Sequence, residues 1–218
     1  MSIIDRIRRD KQLLYLSLAT ALRGMRDNLR YIIWQPFALS LGIPVRDIGA
    51  LESLMDLAKI IIQPILGAAS DVYGRKKFLV ARELTVLAAG LCFLFAESWQ
   101  LLALGMVFIG LGIALIPIWH STVAESIKAN EMGVVFSLLG SAYMTTGMIG
   151  TIAAGWLADN MGYRTVYAIS VGFAVLSLIV TIFKIDETHK PSGKAKFTVR
   201  EAFTSLLDTF RPPRYMWG

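Results

Sequence analysis

The chain has 218 residues, of which 55% are hydrophobic and only 17% are charged, and its formal net charge is +6. This composition excludes an ordinary soluble domain, because such a domain needs more charged residues to cover its surface. The positive charge does not indicate nucleic-acid binding, since the Lys and Arg residues lie in short stretches between apolar runs. The single cysteine, Cys92, lies inside an apolar run, so one chain can form neither a disulfide framework nor a cysteine-based metal site.

Six apolar runs predict an all-α membrane protein, because each run is long enough to cross the hydrocarbon core of a bilayer as a helix. The predicted transmembrane helices cover residues 13–41, 47–69, 77–97, 100–125, 132–158 and 164–184. Short connections separate them, so neighbouring helices are expected to run antiparallel. Six spans place both ends of the unit on one side of the membrane, and the lipid bilayer is its first expected partner.

The distribution of basic residues predicts that this shared side is the cytoplasm. Basic residues on that side are Arg6, Arg8, Arg9, Lys11, Arg75, Lys76, Lys77, Lys128, Lys184, Lys190, Lys194 and Lys196. The opposite side carries only Arg46 and Arg164. We therefore expect a multi-pass protein of the plasma membrane with both termini in the cytoplasm, and we expect no cleaved signal peptide at the N-terminus.

Residues 185–211 are predicted to form a cytoplasmic linker that contains a short amphipathic helix. The segment Thr198-Val199-Arg200-Glu201 is typical of a capping box, and four apolar side chains follow it on one helical face: Phe203, Leu206, Leu207 and Phe210. Beside a membrane, this pattern favours a helix at the interface over a short soluble helix. Residues 212–218, which are basic and aromatic, are interpreted as the start of a truncated seventh span.

A short sequence pattern occurs twice and indicates an inverted repeat. Gly67 to Gly74 and Gly155 to Gly162 both follow the pattern Gly-x-x-x-Asp-x-x-Gly, and each closes the second helix of a three-helix unit. Because three spans separate them, the two copies are expected on opposite membrane faces, as in secondary transporters built from inverted repeats.

The first copy of this pattern resembles the signature loop between helices two and three of the major facilitator superfamily. Its matching positions are Gly67, Asp71, Gly74, Arg75 and Lys76. The resemblance implies an N-terminal six-helix half of a twelve-span transporter that moves solute through a cavity between two halves. It also implies a second six-helix half as partner, either a separate chain or a second copy of this one, and a gating role for the signature loop.

Glu125, at the end of the fourth helix, is expected to pair with Arg75 in this loop network. Two positions depart from the family pattern; the first weakens the expectation of proton antiport, and the second makes the match to drug antiporters partial. Met106 stands where many proton-linked members have arginine, four residues before a Gly-x-Gly, and Met148 stands where drug antiporters have proline. The glycine-rich fifth helix, 140–155, fits either that antiporter pattern or simple close helix packing.

Charged residues inside the first predicted span identify a candidate solute cavity. Arg23, Arg26, Asp27 and Arg30, with Trp34 one turn further on, lie at spacings that place them on one face of a helix. A charge at the membrane centre costs about 2.5 to 3.5 kcal/mol even on insertion-based scales, so this face is expected to line a protein-walled cavity. The excess positive charge favours an anionic substrate group.

A comparable polar stripe on the second span consists of Glu52, Asp56, Lys59 and Gln63. Asp56 and Lys59 are further cavity candidates, but structural pairing of Glu52 and Asp56 with the charges of the first span is the alternative. His120, on the fourth helix, is a weaker candidate for a proton relay. Arg82 and Glu83 are expected either to join the signature-loop network or to extend towards the membrane interface.

No pattern in the sequence predicts an enzyme, a cofactor or a metal site. The chain contains no phosphate-binding Gly-x-x-x-x-Gly-Lys-Ser/Thr loop and no His-Glu-x-x-His zinc motif. The resemblance to the major facilitator superfamily implies alternating-access transport of a small solute, and the basic face of the first helix favours an organic anion as the substrate. Drug-like efflux is one alternative, and a non-transporting membrane fragment or regulatory partner of another transporter is the other.

Overall fold

A computed structural model of the chain describes residues 11–189. These residues form seven α-helices: α1 (Lys11–Ser40), α2 (Val45–Tyr73), α3 (Lys76–Leu94), α4 (Trp99–Ala114), α5 (Ile116–Glu125), α6 (Met132–Met161) and α7 (Tyr163–Lys184). A short 3-10 helix, Ala129–Glu131, precedes α6. The helices overlap the six predicted spans, with boundaries that differ by a few residues. The amphipathic linker helix and residues 212–218 lie outside the described residues.

The fourth predicted span is divided into α4 and α5 at Leu115. Pro117 lies in the first turn of α5 and has no N–H with which to continue the hydrogen-bond ladder of α4. The two helices therefore form one span with an interruption in its middle.

Within the described residues, three continuous segments are long and apolar enough to cross a membrane: Trp99–Glu125, Ala129–Met161 and Tyr163–Lys184. The first three helices contain more charged side chains. In α1 and α3 several of these side chains turn into the protein, where Arg23, Arg26, Arg82 and Glu83 are all buried.

Helix packing follows the inverted repeat. The first three-helix unit consists of α1, α2 and α3, and the second consists of the α4–α5 span, α6 and α7. Helix α1 packs against α6 and α7 of the second unit. In the same way, α4 packs against α2 and α3 of the first unit. The third helices of the two units, α3 and α7, also pack against each other. Exchanging the two units leaves this set of contacts unchanged, as expected for a pseudo-two-fold axis between inverted repeats.

The two copies of the sequence pattern end their helices in the same backbone conformation. Gly74 has φ 89° and ψ 153°, and Gly162 has φ 82° and ψ 161°. Each glycine donates its N–H to the carbonyl four residues earlier, at 3.1 Å in both copies. Residues other than glycine rarely adopt this φ, so the backbone conformation explains why each copy ends in glycine.

The apolar core consists of two clusters separated by a charged layer. One cluster lies around the N-terminal half of α1 and includes Leu13, Leu16 and Ala19, and the other lies around its C-terminal half and includes Leu29 and Ile33. The charged side chains of α1 and α3 lie between these clusters along both helices. The fold therefore places a polar layer near the middle of an otherwise apolar bundle.

Close contact between α1 and α6 depends on glycine. A Cβ at Gly24 would lie 2.3 Å from the backbone oxygen of Tyr143, and a Cβ at Gly150 would lie 2.9 Å from the backbone oxygen of Met25. Gly140 and Gly155, in contrast, have no neighbour from the described part of the chain in the space a Cβ would occupy. The glycine-rich helix therefore serves close packing at some positions and leaves open space at others.

Candidate functional site

The charged layer is organised around Glu83 of α3, whose side chain has no exposed surface. The Glu83 carboxylate accepts a hydrogen bond from Nε of Arg23 at 2.8 Å and one from Nη1 of Arg26 at 2.6 Å. Arg82, its neighbour in sequence, donates a third through Nη1 at 2.9 Å. Such charge-assisted bonds hold three guanidinium groups in fixed positions. We call Arg23, Arg26, Asp27, Arg30, Arg82 and Glu83 the arginine cluster.

This arrangement corrects two expectations. The arginines of α1 pair with an acid of the third span and not with Glu52 or Asp56 of the second, because Glu83 of α3 faces α1 and the long arginine side chains reach it. Arg82 and Glu83 are buried beside α1, so they neither join the signature loop nor reach the interface. The sequence did contain a signal for this buried pairing, since Arg82 and Glu83 are charged residues within an apolar run and such residues need a buried partner.

The second carboxylate of the cluster, Asp27, is partly exposed and pairs with its neighbour in sequence. Nε of Arg26 donates to Oδ1 of Asp27 at 2.8 Å, and the Tyr143 hydroxyl lies 3.4 Å from Oδ2. Pairing of Asp27 with Arg23 or Arg30, which helical spacing permits, is not observed as an ion pair within the described residues. Asp27 therefore connects the buried cluster to the surface of the neighbouring cavities.

The arginine cluster carries four guanidinium groups and two carboxylates, so positive charge is in excess. Several of its buried N–H groups have no hydrogen-bond partner among the described residues: Nη1 and Nη2 of Arg23, Nη2 of Arg26, Nε of Arg30 and Nε of Arg82. The guanidinium of Arg23 lies 3.7 Å from the ring centre of Trp119, which provides a cation–π contact. The remaining donors and the excess charge favour an anion nearby.

Two adjoining cavities open onto this cluster, each within the size range of small-molecule sites. Cavity 1 has a volume of about 320 Å³ and is lined by Arg26, Asp27, Asn28, Arg30, Tyr31, Arg82, Val86, Ile109, Gly112, Ile113, Ile116 and Tyr143. Cavity 2 has a volume of about 390 Å³ and is lined by Thr20, Arg23, Asp27, Arg82, Ile116, Trp119, His120, Phe136, Leu139, Gly140, Tyr143 and Met144. The structure thus brings the predicted charges of α1 to a cavity formed with α3, α4, α5 and α6.

Other predicted residues lie elsewhere. Trp34 is buried in the apolar core and lines neither cavity, because its side chain packs with the C-terminal cluster. Asp56 and Lys59 form an ion pair with each other at 2.6 Å on a partly exposed face of α2, and neither lines these two cavities. His120 does line cavity 2, where its ring packs edge-on against Phe136. A relay role for His120 stays a prediction.

Sequence reasoning missed the aromatic lining of cavity 2. Trp119 and Phe136 lie on α5 and α6, and Tyr143 lies two turns beyond Phe136 on the same helix. Phe136 and Tyr143 are seven residues apart and therefore lie on one face of α6. This spacing was the sequence signal that could have indicated an aromatic lining. Apolar transmembrane helices contain many such pairs, so spacing alone does not identify the pair that faces a cavity.

A second group of charges lies at the connection between α2 and α3, and we call Asp71, Arg75, Glu125, Glu187 and His189 the loop cluster. Nη2 of Arg75 lies 2.9 Å from Glu125 and 3.3 Å from Asp71. The expected pairing of Arg75 with Glu125 is therefore present, and it joins the ends of α2 and α5. Lys76 begins α3. Among residues 11–189, Gly67 has no neighbour in the space a Cβ would occupy, so close packing within this part of the chain does not explain a glycine there.

The segment after α7 also joins the loop cluster, which sequence reasoning did not predict. The Glu187 carboxylate accepts the backbone N–H of Arg75 at 2.8 Å and that of Lys76 at 3.0 Å, and thereby caps the N-terminus of α3. Although partial burial opposes the change, these hydrogen bonds and one from the His189 N–H lower the pKa of Glu187 below its ordinary value. His189 lies 3.0 Å from the carbonyl of Asp71 and 3.5 Å from Glu125.

The second copy of the repeated pattern carries a much simpler arrangement. Asp159 is exposed, and Nη2 of Arg164 lies 3.3 Å from Glu97, with both side chains more than half exposed. The two copies therefore share a helix ending but differ in the charges around it.

Comparisons with known proteins agree with this architecture. The Major Facilitator Superfamily profile matches residues 16–218. Multidrug resistance protein MdtG of Escherichia coli, in strains that include O1:K1 and K12, is 31% identical over 160 residues, which cover 72% of this chain and 39% of that protein. The human organic anion transporter MFSD10 (TETRAN) has a similar fold, with a TM-score of 0.69 and 17% identity over 88% of this chain and 52% of that structure.

The chain thus spans about half the length, or less, of the proteins it resembles. The profile match nevertheless extends over nearly all of its own residues, including the signature loop, the arginine cluster and the six spans except the first few residues of the first span. The chain is a multi-pass membrane protein that belongs to the major facilitator superfamily, a family of transporters and not of enzymes.

Proposed function

We propose that the chain forms one six-helix half of an alternating-access transporter that carries a small organic anion across the plasma membrane. The single observation that carries this proposal is the excess positive charge of the arginine cluster beside two cavities at membrane depth. A net charge in a low-dielectric layer is costly unless an opposite charge lies close to it. An anionic solute would supply that charge during part of the transport cycle.

The residues proposed to contact the solute are those of the arginine cluster that line the cavities. Arg26 and Arg30 line cavity 1, Arg23 lines cavity 2, and Asp27 and Arg82 line both cavities. Because Asp27 is partly exposed and already bonded to Arg26, a solute anion would compete with it for that guanidinium. Trp34, Asp56 and Lys59 are not part of this proposal, since they lie outside both cavities.

The solute path requires a second six-helix half, supplied by another polypeptide, by a second copy of this chain or by the remainder of a longer protein. Basic residues favour an orientation with the α2–α3 and α5–α6 connections in the cytoplasm, because they carry Arg75, Lys76, Lys77 and Lys128. In this orientation the loop cluster links the cytoplasmic ends of α2, α3, α5 and α7. We propose that it stabilises one of the two alternating states and must loosen in the other.

Drug-like efflux is the second candidate, and the similarity to Multidrug resistance protein MdtG is the observation that favours it. The two candidates differ in the charge of the solute. A path for cationic drugs would place a cation beside four guanidinium groups, which repel it. Transport of a lipophilic cation such as tetraphenylphosphonium would therefore favour the second candidate over the first.

The test is uptake by liposomes that contain the chain together with a second six-helix half. We expect saturable uptake of radiolabelled 2-naphthalenesulfonate, a permanent anion that does not cross lipid as a neutral acid. Arg26→Ala is expected to reduce this uptake by at least about tenfold, since a charged contact of this kind contributes about 1.5–3 kcal/mol. Asp27→Asn is expected to lower the solute concentration that gives half-maximal uptake, because it removes the carboxylate that competes with the solute for Arg26. Arg46→Ala is the matched control, because Arg46 is exposed at a connection remote from the cavities.

Each variant must also be expressed and monodisperse at the level of the unsubstituted protein. Unchanged uptake by well-folded Arg26→Ala and Asp27→Asn proteins would remove the cavity assignment. Absence of saturable uptake of any anion or cation with the second half present would instead favour a non-transporting fragment or regulatory partner. Cysteine labelling from either side of the membrane tests the proposed orientation.

A further inference from the structure

We propose that the transported anion carries an aromatic body, with its acid group in cavity 1 and its ring in cavity 2. This inference rests on the proposed function and names the substrate class of the same site. It follows from the different walls of the two cavities, from the residues that they share and from one glycine.

Both cavities have charged walls, but cavity 2 has more aromatic side chains in its walls than cavity 1. Trp119, Phe136 and His120 line cavity 2, and the His120 and Phe136 ring centres lie 5.9 Å apart in an edge-on arrangement. Aromatic side chains so arranged favour planar ring ligands, which can stack against a face or pack against an edge. The guanidinium of Arg23 covers the Trp119 ring and adds positive charge to this wall.

The two cavities adjoin, so one ligand can occupy both. Asp27, Arg82, Ile116 and Tyr143 line both of them. Arg82 and Asp27 place charge at the boundary, and Ile116 and Tyr143 place apolar surface there. A small inorganic anion would satisfy the charge and leave the aromatic wall without contact, whereas a neutral aromatic compound would fill cavity 2 and leave the excess charge unbalanced.

Gly140 keeps cavity 2 open. It lies on α6 between Phe136 and Tyr143 and lines cavity 2, and no atom of the described residues occupies the space that its Cβ would enter. A larger side chain at Gly140 can therefore extend without meeting the neighbouring backbone. This differs from Gly24 and Gly147, where a Cβ would lie 2.3 Å and 2.4 Å from the nearest atom. Gly140 is accordingly a position where cavity 2 can be reduced without separating the helices.

Equilibrium binding to the purified full chain in lipid nanodiscs tests the inference with three radiolabelled probes. The probes are 2-naphthalenesulfonate, which has both a ring and a charge, methanesulfonate, which lacks the ring, and 2-naphthalenesulfonamide, which lacks the charge. We expect 2-naphthalenesulfonate to bind at least about tenfold more tightly than either of the others, since a contact missing from a shaped site costs at least this factor.

Gly140→Leu is expected to weaken 2-naphthalenesulfonate binding by at least about tenfold and to leave methanesulfonate binding unchanged. Gly172→Leu is the matched control, because Gly172 lies on α7 with open space at its Cβ and lines neither cavity. If Gly140→Leu does not fold, the order of affinities of the unsubstituted chain for the three probes still decides the question.

The outcomes separate the inference from the proposed function. Equal binding of the two sulfonates, with no effect of Gly140→Leu, would overturn the aromatic-body inference and leave the anion proposal intact. Equal binding of the sulfonamide and the aryl sulfonate would overturn the inference by removing its charge requirement. Failure of both sulfonates to bind would overturn the inference and the anion proposal together.

Discussion

The arginine cluster and the loop cluster both join helices through arginine and carboxylate groups, but they differ in exposure. In the arginine cluster the central carboxylate, Glu83, has no exposed surface, whereas in the loop cluster Asp71 is 63% exposed and Glu125 is 30% exposed. Breaking a buried ion pair costs much free energy, because the remaining charge has neither a partner nor water. Breaking an exposed pair costs little, because water solvates both charges. The buried cluster is therefore suited to a permanent site, and the loop cluster to contacts that form and break during a cycle.

The largest expected effect is that of Glu83→Ala, which tests the permanent character of the buried cluster. Removing this carboxylate leaves Arg23 and Arg26 without their shared partner and is expected to lower the free energy of unfolding by about 3–5 kcal/mol. The measurement is unfolding of the purified chain in mixed micelles, titrated with denaturing detergent. Glu52→Ala is the control, because Glu52 accepts only an exposed hydrogen bond, from Gln35 at 3.1 Å. Similar losses of unfolding free energy in Glu83→Ala and Glu52→Ala would contradict the view that burial makes the arginine cluster the stronger of the two clusters.

A smaller effect is expected from breaking the loop cluster at Arg75 and Glu125. Each of the substitutions Arg75→Ala and Glu125→Ala is expected to lower the free energy of unfolding by about 1 kcal/mol, and the double variant should show a coupling of about 0.5–1 kcal/mol between them. The same detergent titration measures all three. A coupling as large as the loss in Glu83→Ala would show that the loop cluster is not the weaker of the two.

The Glu187 cap on α3 is expected to contribute about 0.5–1 kcal/mol to the free energy of unfolding, and this contribution should depend on pH. The native pKa of Glu187 lies below its ordinary value of about 4.5, so its contribution to stability is fully present above that value and is lost as the pH falls through the native pKa. We therefore expect the stability difference between the unsubstituted chain and Glu187→Gln to shrink as the pH falls below about 4.5. A difference that grows on acidification would contradict the cap.

The smallest effect is expected at the second copy of the repeated pattern. Arg164→Gln should change the free energy of unfolding by no more than about 0.5 kcal/mol, because Arg164 and Glu97 are both largely exposed and 3.3 Å apart. Paired with Arg75→Gln, this substitution compares the two faces of the repeat directly. An Arg164→Gln loss equal to that of Arg75→Gln would show that the two copies are equivalent in energy as well as in backbone.

Much of the fold was predictable from sequence because its signals are local. The length of each apolar run predicts a span, and the repeated glycine pattern predicts the two equivalent helix endings at Gly74 and Gly162. The pairing of Arg75 with Glu125 was also predictable, since the family pattern suggests it. The interruption at Leu115 was not predicted from the sequence. Pro117 is consistent with an interruption, but a proline inside an apolar run also occurs in spans that are not interrupted.

The candidate site was predictable in part. The face of Arg23, Arg26, Asp27 and Arg30 was identified from helical spacing, and the structure brings these residues to two cavities. Trp34 shares that spacing but is buried in the apolar core, because a spacing rule does not say where a cavity ends along a helix. The aromatic wall of cavity 2 was not identified, since aromatic residues in transmembrane helices usually contact lipid or other helices.

By itself, the sequence determined the six apolar spans, their alternating direction and the family, because these depend on run lengths, short connections and one local motif. Only the tertiary structure decided which charges meet. Glu83 is 60 residues from Arg23 and 57 from Arg26 in sequence, and Glu187 is 112 residues from Arg75. Such pairings depend on the rotation of each helix about its axis and on the close approach that glycines allow, and both are set by packing across the whole bundle.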